Sequence, residues 1–219
     1  MRLKPFIFFC ALFITSSVFV SCDPDPDDTS IPKPRGYFRI DLPKHHYKMY
    51  DSLCPFAFET PKYSWVVDNM EKNAEPCWQN IYYPRFGAIV HLSYKTVPGK
   101  DALRTYMNDC NEFAKIHTVR ANGLTENLIV RDSAKVYGLW YDINGNAASN
   151  IQFYLTDSSK NFIRGALYFS VKPNIDSLQP VVDFLREDIV HMLKTFRWKE
   201  SDIEFKTVEM KKPEKLKGK

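Results

Sequence analysis

The chain has 219 residues, 44% of them hydrophobic and 15% aromatic, which is enough for one sizeable core and one main domain. Its formal charge of +4 is unevenly placed: from Lys206 to Lys219 six lysines stand against two glutamates. The positive excess is therefore a tail rather than a folded basic face, which argues against nucleic-acid binding, and eight glycines argue against phosphate-cradling loops.

Arg2 and Lys4 open the chain, Phe6 to Val20 is almost wholly apolar, and Ser21-Cys22 precede Asp23-Pro-Asp-Pro-Asp-Asp28. A charged start, a short greasy middle and a small residue before the cut describe a secretory signal over residues 1–21. Cys22 just after the cut describes a lipoprotein, in which that thiol is acylated and becomes the new N-terminus. Phe19 stands where such signals usually carry Leu, one apolar residue for another. The competing reading is an uncleaved span, but the apolar run is short against the roughly 20 residues that a bilayer needs. Acyl chains bury methylenes at about 0.8 kcal/mol each, and more than one chain anchors stably. The expected location is the cell envelope, membrane-anchored and facing the periplasm, with residues 22–34 as an acidic, Pro-rich tether.

A single domain is expected over 35–199. Phe38, Ile40 and Leu42 alternate as in a short strand, and Phe56–Thr60 and Tyr63–Val67 read as strands around Pro61. Asn80–Tyr83 and Ala88–Tyr94 flank Pro84-Arg-Phe-Gly87, a hairpin signal. A helix is expected from about Asp101, as cap, to His117, with Leu103, Tyr106, Cys110, Phe113 and His117 on one stripe. Four strands follow, over Asn127–Arg131, Lys135–Ile143, Ser149–Thr156 and Phe162–Val171, with turns at Asn144-Gly145-Asn146 and Asp157–Asn161. The last helix runs from about Leu178 to Thr195, capped by Asp176 or Ser177, with Pro180 in its first turn. Val182, Leu185, Ile189, Met192 and Phe196 form its buried face. Residues 200–219 read as a solvated, disordered basic tail, with contact to anionic lipid or an acidic partner as the other reading.

Two amphipathic helices among antiparallel strands give an α+β domain: a mainly antiparallel twisted sheet flanked by helices. By analogy of element order, it is similar to the Mog1/PsbP-like α/β/α sandwich.

Cys10 leaves with the signal, and Cys54, Cys77 and Cys110 remain. Outside the cytoplasm a disulfide persists. Cys54 and Cys77 lie in loop-like sequence and are the preferred pair, while Cys110 falls on the first helix's apolar face. Three widely spaced cysteines lack zinc-site spacing, so no metal site is assigned.

No catalytic motif stands out: there is no nucleophile elbow, nucleotide loop or HExxH helix. No catalytic or cofactor-binding residue, cofactor or small-molecule substrate is assigned. His45-His46 reads as a surface pair, and His91, His117 and His191 as capping or core-bonding residues. Asp132, Asp142 and Asp157 read as turn carboxylates, with a glycosidase-like pair among them left open. Tyr37, Phe38, Tyr47, Tyr82, Tyr83, Trp140 and Tyr141 read mainly as core under two helical layers, and otherwise as a protein- or glycan-binding surface.

Pro34-Arg-Gly-Tyr-Phe-Arg-Ile-Asp-Leu-Pro43, Cys54-Pro55, Cys77-Trp78, His91-Leu-Ser-Tyr-Lys95 and Gly145-Asn-Ala-Ala-Ser-Asn-Ile-Gln-Phe-Tyr-Leu-Thr-Asp157 carry a family resemblance. So do Phe162-Ile-Arg-Gly-Ala-Leu-Tyr-Phe169, Pro173-Asn174 and Thr195-Phe-Arg-Trp198. From about residue 32 to 198 the chain resembles the gliding motility lipoprotein GldD family of Bacteroidetes. The resemblance implies a non-enzymatic envelope lipoprotein associated with the gliding machinery, which is linked to type IX secretion, with other envelope motility or secretion proteins as partners. Arg35, Tyr37, Phe38 and Arg39 are the candidate partner surface. An anchored glycan- or lipid-binding module and a general envelope-assembly factor are the alternatives.

Overall fold

The computed structural model describes residues 40–118, 121–171 and 174–199. The chain divides into two units, Met1–Arg39 and Ile40–Lys219, and all described residues belong to the second. The signal, Cys22, the tether, the candidate surface Arg35, Tyr37, Phe38 and Arg39, and the basic tail lie outside the described residues.

In chain order the elements are β1 (Tyr47–Asp51), β2 (Phe56–Pro61), β3 (Trp65–Asp68), β4 (Gln79–Tyr83), β5 (Ala88–Thr96), α1 (Lys100–His117) and β6 (Ala121–Arg131). After them come β7 (Val136–Gly145), β8 (Ile151–Thr156), β9 (Asn161–Phe169), α2 (Ile175–Thr195) and β10 (Arg197–Trp198). Seven strands form one sheet in the order β3-β4-β5-β9-β8-β7-β6, and three form a smaller one, β1-β2-β10. Every pairing is antiparallel. The domain is thus α+β, built on a large antiparallel sheet with two main helices.

Alternation along the central strands divides the core in two. Phe153 and Leu155 of β8 join a cluster with Phe56 and Phe58 of β2 and with Val182, Leu185, Ile189 and Met192 of α2. Tyr154, between them, joins Cys110 and Ala114 of α1 together with Tyr141, Ile143 and Phe162. The large sheet therefore carries α2 and the small sheet on one face and α1 on the other. Each fully buried aliphatic or Phe side chain contributes about 1.5–3 kcal/mol. In α2 and at its C-cap the burial falls on every position of the expected stripe, Val182, Leu185, Ile189, Met192 and then Phe196.

The hairpin between β4 and β5 turns through a short 3₁₀ segment at Pro84–Phe86 that ends on Gly87 at φ 56°, a left-handed position that suits glycine. At the Asp157 turn one carboxylate oxygen accepts the backbone N–H groups of Ser159, Lys160 and Asn161.

Several expectations are corrected. Residues 40–46 form no strand, and Ile40 and Leu42 are exposed. Helix α1 packs through Cys110 and Ala114, whereas Phe113 stays 46% exposed beneath the Arg164 guanidinium. A small alanine lets the helix approach the sheet, and Phe113 flanks that contact. Asp101 sits in the first turn of α1 without capping it; the cap position is Gly99. Helix α2 starts at Ile175 after Asn174, so Pro180 lies beyond the first turn, and the Ile175 N–H is accepted by the Asn146 side chain. Strand β6 begins six residues earlier than its apolar stretch, at Ala121. Among the expected core aromatics Tyr83, Trp140 and Tyr141 are buried, and Tyr82 is half-buried.

Candidate functional site

Phe184, Glu187, Asp188 and His191 follow one another on α2 at spacings that place them on a single helical face. Asp188 is wholly buried. An unpartnered buried carboxylate would cost several kcal/mol, so its hydrogen bonds decide whether the site is stable. Three donors converge on it. Tyr63 Oη donates to Oδ2 at 2.5 Å, Tyr47 Oη donates to Oδ1 at 3.1 Å, and His45 Nδ1 lies 2.7 Å from Oδ1. The second ring nitrogen of His45 lies 3.1 Å from Glu187.

Stacking completes the cluster. The His45 ring lies 4.3 Å from Phe184, and Tyr47 lies 3.6 Å from His191 at a nearly parallel angle. His191 Nε2 in turn meets the Glu59 carboxylate of β2 at 2.6 Å. The irregular segment before β1, β1 itself, β2, the turn before β3 and α2 are all held through this one cluster.

Burial pushes the Asp188 carboxyl above its ordinary range, while the Tyr63, His45 and Tyr47 hydrogen bonds pull it down less strongly. Burial, followed by the Asp188 charge and its hydrogen bond, raises the Tyr47 and Tyr63 hydroxyls well above the usual tyrosine value. Burial and the same charge raise Tyr83. The phenols therefore stay protonated and serve as donors. Every acceptor contact of Asp188 comes from the chain itself, and none of its surface meets solvent. The arrangement is a fastening: it straps His45 and Tyr47, just before and at the start of β1, onto α2.

His45 is thus a buttress of α2, which corrects its reading as a surface residue; His46 alone is exposed. His91 Nδ1 donates to the Asn80 side-chain oxygen at 2.6 Å, and His117 packs edge-on to Tyr168. Asp142 pairs with Arg186 at 2.9 Å, and Asp157 shapes its own turn. Cys54 and Cys77 are joined by a disulfide with Cα atoms 5.6 Å apart, and Cys110 is a buried free thiol. Burial pushes the Cys110 thiol up to about 12, so it stays protonated and unreactive at neutral pH. Among the described residues no group of three His, Cys, Asp or Glu side chains is placed to hold a metal ion.

Opposite α2, the register aligns Trp65, Tyr82, Ile89 and Tyr168 in one row across β3, β4, β5 and β9. Trp65 is 61% exposed and the other three are half-buried. The row begins beside His117 at the end of α1 and runs to the sheet edge, an open aromatic strip.

An antiparallel α+β domain whose segment His45–Tyr47 is fastened to α2 is what fold and cluster define. A family profile described as "Gliding motility lipoprotein GldD" matches residues 27–198, most of the chain, and the chain belongs to that family. Membership gives a lipoprotein, cell-envelope context. Among solved structures, the solution structure of cyanobacterial PsbP (CyanoP) from Synechocystis sp. PCC 6803 is similar at 16% identity, covering 72% of this chain and 95% of that one, with a TM-score of 0.38. No curated protein matches the chain.

Proposed function

We propose that this protein is a lipid-anchored, periplasm-facing component of the gliding-motility apparatus and its linked type IX secretion machinery, acting by holding partners rather than by turning over a substrate. The observation that carries this reading is the family match over residues 27–198. The fastening of His45 and Tyr47 to Asp188 supports the anchored part of it. A domain tethered to a membrane through its N-terminal segment needs that segment gripped, and here Asp188 and Tyr63 hold His45 and Tyr47 in place.

The test combines lipid labelling with crosslinking in the native bacterium. Cys22→Ala should lose acyl label and leave the membrane fraction, and the wild-type protein should co-purify with envelope components after crosslinking. Loss of the protein should impair spreading or protein export. A polypeptide that retains residues 1–21 without acyl mass, or that stays monomeric in intact cells, would overturn the proposal.

The row Trp65-Tyr82-Ile89-Tyr168 favours a second reading, an anchored glycan-binding module, because flat aromatic strips stack on sugar rings. Retention on purified cell-wall glycan, lost in Trp65→Ala with Tyr82→Ala, is the result it requires.

A further inference from the structure

Among the described residues, strand β6 ends the large sheet and pairs only with β7. Its pairing is regular from Gly123 to Arg131, so its outer edge presents a long run of backbone donors and acceptors with no strand partner among the described residues. Natural edges are usually blunted by proline, a bulge or charge. Here the one irregularity lies far back, between Ala121 and Gly123, and residues Asn127–Arg131 hold no proline and only a terminal charge. Leu128 is 74% exposed and Val130 53% exposed.

A groove of about 480 Å³ runs along the same five residues, between the β6 edge and α2. Trp140 forms its floor, and Val190 and Leu193 its far wall. Register sets which β6 side chains face it: Asn127 lies opposite Trp140, so Asn127, Ile129 and Arg131 share the α2 side while Leu128 and Val130 point to the other.

The polar lining is cationic. Arg131, Arg186 and Lys194 face one acid, Asp142. Arg131 spends one nitrogen on the carbonyls of Leu193 and Phe196. Arg186 pairs with Asp142 and with Asp183, yet its Nε is buried without a hydrogen-bond partner. Lys194 makes no ion pair among the described residues and lies exposed at the rim.

We infer that the β6 edge and this groove receive an extended segment of a partner protein that alternates apolar residues with an acidic one. The segment adds as an eighth strand through backbone hydrogen bonds. Its α2-side residues enter the groove, an apolar one over Trp140 and an aspartate or glutamate toward Lys194 and the Arg186 guanidinium. A second copy of this chain is a poor occupant: the acid of β6, Glu126, lies on the opposite face from Asn127 and Arg131, so two β6 strands would bring cations to cations. The inference rests on the partner-holding reading above but is tested without it.

The experiment uses the full acylated chain in detergent and a labelled peptide of about nine residues, alternating valine and threonine with one central aspartate. Anisotropy should show binding about tenfold tighter than for the same peptide with lysine at the centre. Lys194→Glu, a change at an exposed side chain, should weaken the aspartate peptide about tenfold and favour the lysine peptide. The amides of Asn127, Ile129 and Arg131 should gain protection from hydrogen exchange on binding. Equal affinity for the two peptides, indifference to Lys194→Glu, or protection appearing elsewhere would each overturn the inference. So would a dimer in sedimentation that Leu128→Lys dissociates, which would give the edge to a second copy. Failure of the purified peptide assay leaves the cellular crosslinking result intact, so the two readings fall separately.

Discussion

Tyr63 and Asp188, 125 residues apart, meet at 2.5 Å between phenol and carboxylate in the interior of the domain. Replacing Asp188 by Ala strands the Tyr63 and Tyr47 hydroxyls without their acceptor. We expect a loss of about 3–5 kcal/mol for Asp188→Ala and about 1–3 kcal/mol for Tyr63→Phe. Urea unfolding measures both, and an Asp188→Ala protein with an unchanged midpoint would remove the fastening from the account.

The fastening also has a pH signature. Because the folded-state pKa of Asp188 lies above its ordinary value, the native state binds that proton more tightly than the unfolded chain does. Its contribution to stability is full at low pH and is lost as pH rises through the folded value. Asp188→Asn should therefore lower stability less above that window than below it. Denaturation midpoints collected from about pH 4 upward, for wild type and variant, give the difference.

His91 and His117 act in the opposite sense. Burial lowers both imidazoles below the usual value of 6.5, and the charge of Arg164 adds to it. The unfolded chain then takes up protons first as pH falls, so stability present above 6.5 is lost on acidification. Thermal melts should show the wild type losing stability below that pH more steeply than His91→Gln with His117→Gln. Parallel pH curves for the two would refute the assignment.

The Cys54–Cys77 bridge closes a separation of 23 residues, which corresponds to about 3 kcal/mol of restriction on the unfolded chain. Cys54→Ser with Cys77→Ser should lower the unfolding free energy by roughly that amount. The same loss should follow reduction of the wild type, whereas Cys110→Ala should leave the response to reductant unchanged.

At Gly165 an added Cβ would lie 2.0 Å from the Phe153 ring, whereas at Gly99 it would meet nothing. Gly165→Ala should cost about 1–3 kcal/mol and Gly99→Ala close to none. Phe153→Leu removes the obstructing ring atoms, so the two changes together should cost less than their sum. A double-mutant cycle with no coupling would show that the strands move apart instead.

The elements were legible where local pattern decides them. Helix α2 announces itself through Val182, Leu185, Ile189 and Met192 at helical spacing, and the β4–β5 hairpin through Pro84 and Gly87. What local pattern could not show was His45 against Asp188, because nothing near either residue marks a partner 143 positions away. A charged residue between Leu185 and Ile189 reads as solvated surface until Tyr63 and Tyr47 are known to reach it. The buried face of α1 departs from the expected stripe for a related reason. Phe113 looks more apolar than Ala114, but close packing against a sheet favours the smaller side chain. The groove beside β6 is a gap between two elements, so it belongs to no stretch of sequence.

The small sheet has a mechanical consequence. Strand β2 lies between β1 and β10; Tyr47 aligns with Pro61 at one end of it and Trp198 with Phe56 at the other. Tension drawn between residue 46 and residue 199 therefore pulls the two outer strands in opposite directions along their length. That is shear rather than unzipping, so the cross-strand bonds resist together instead of parting one by one.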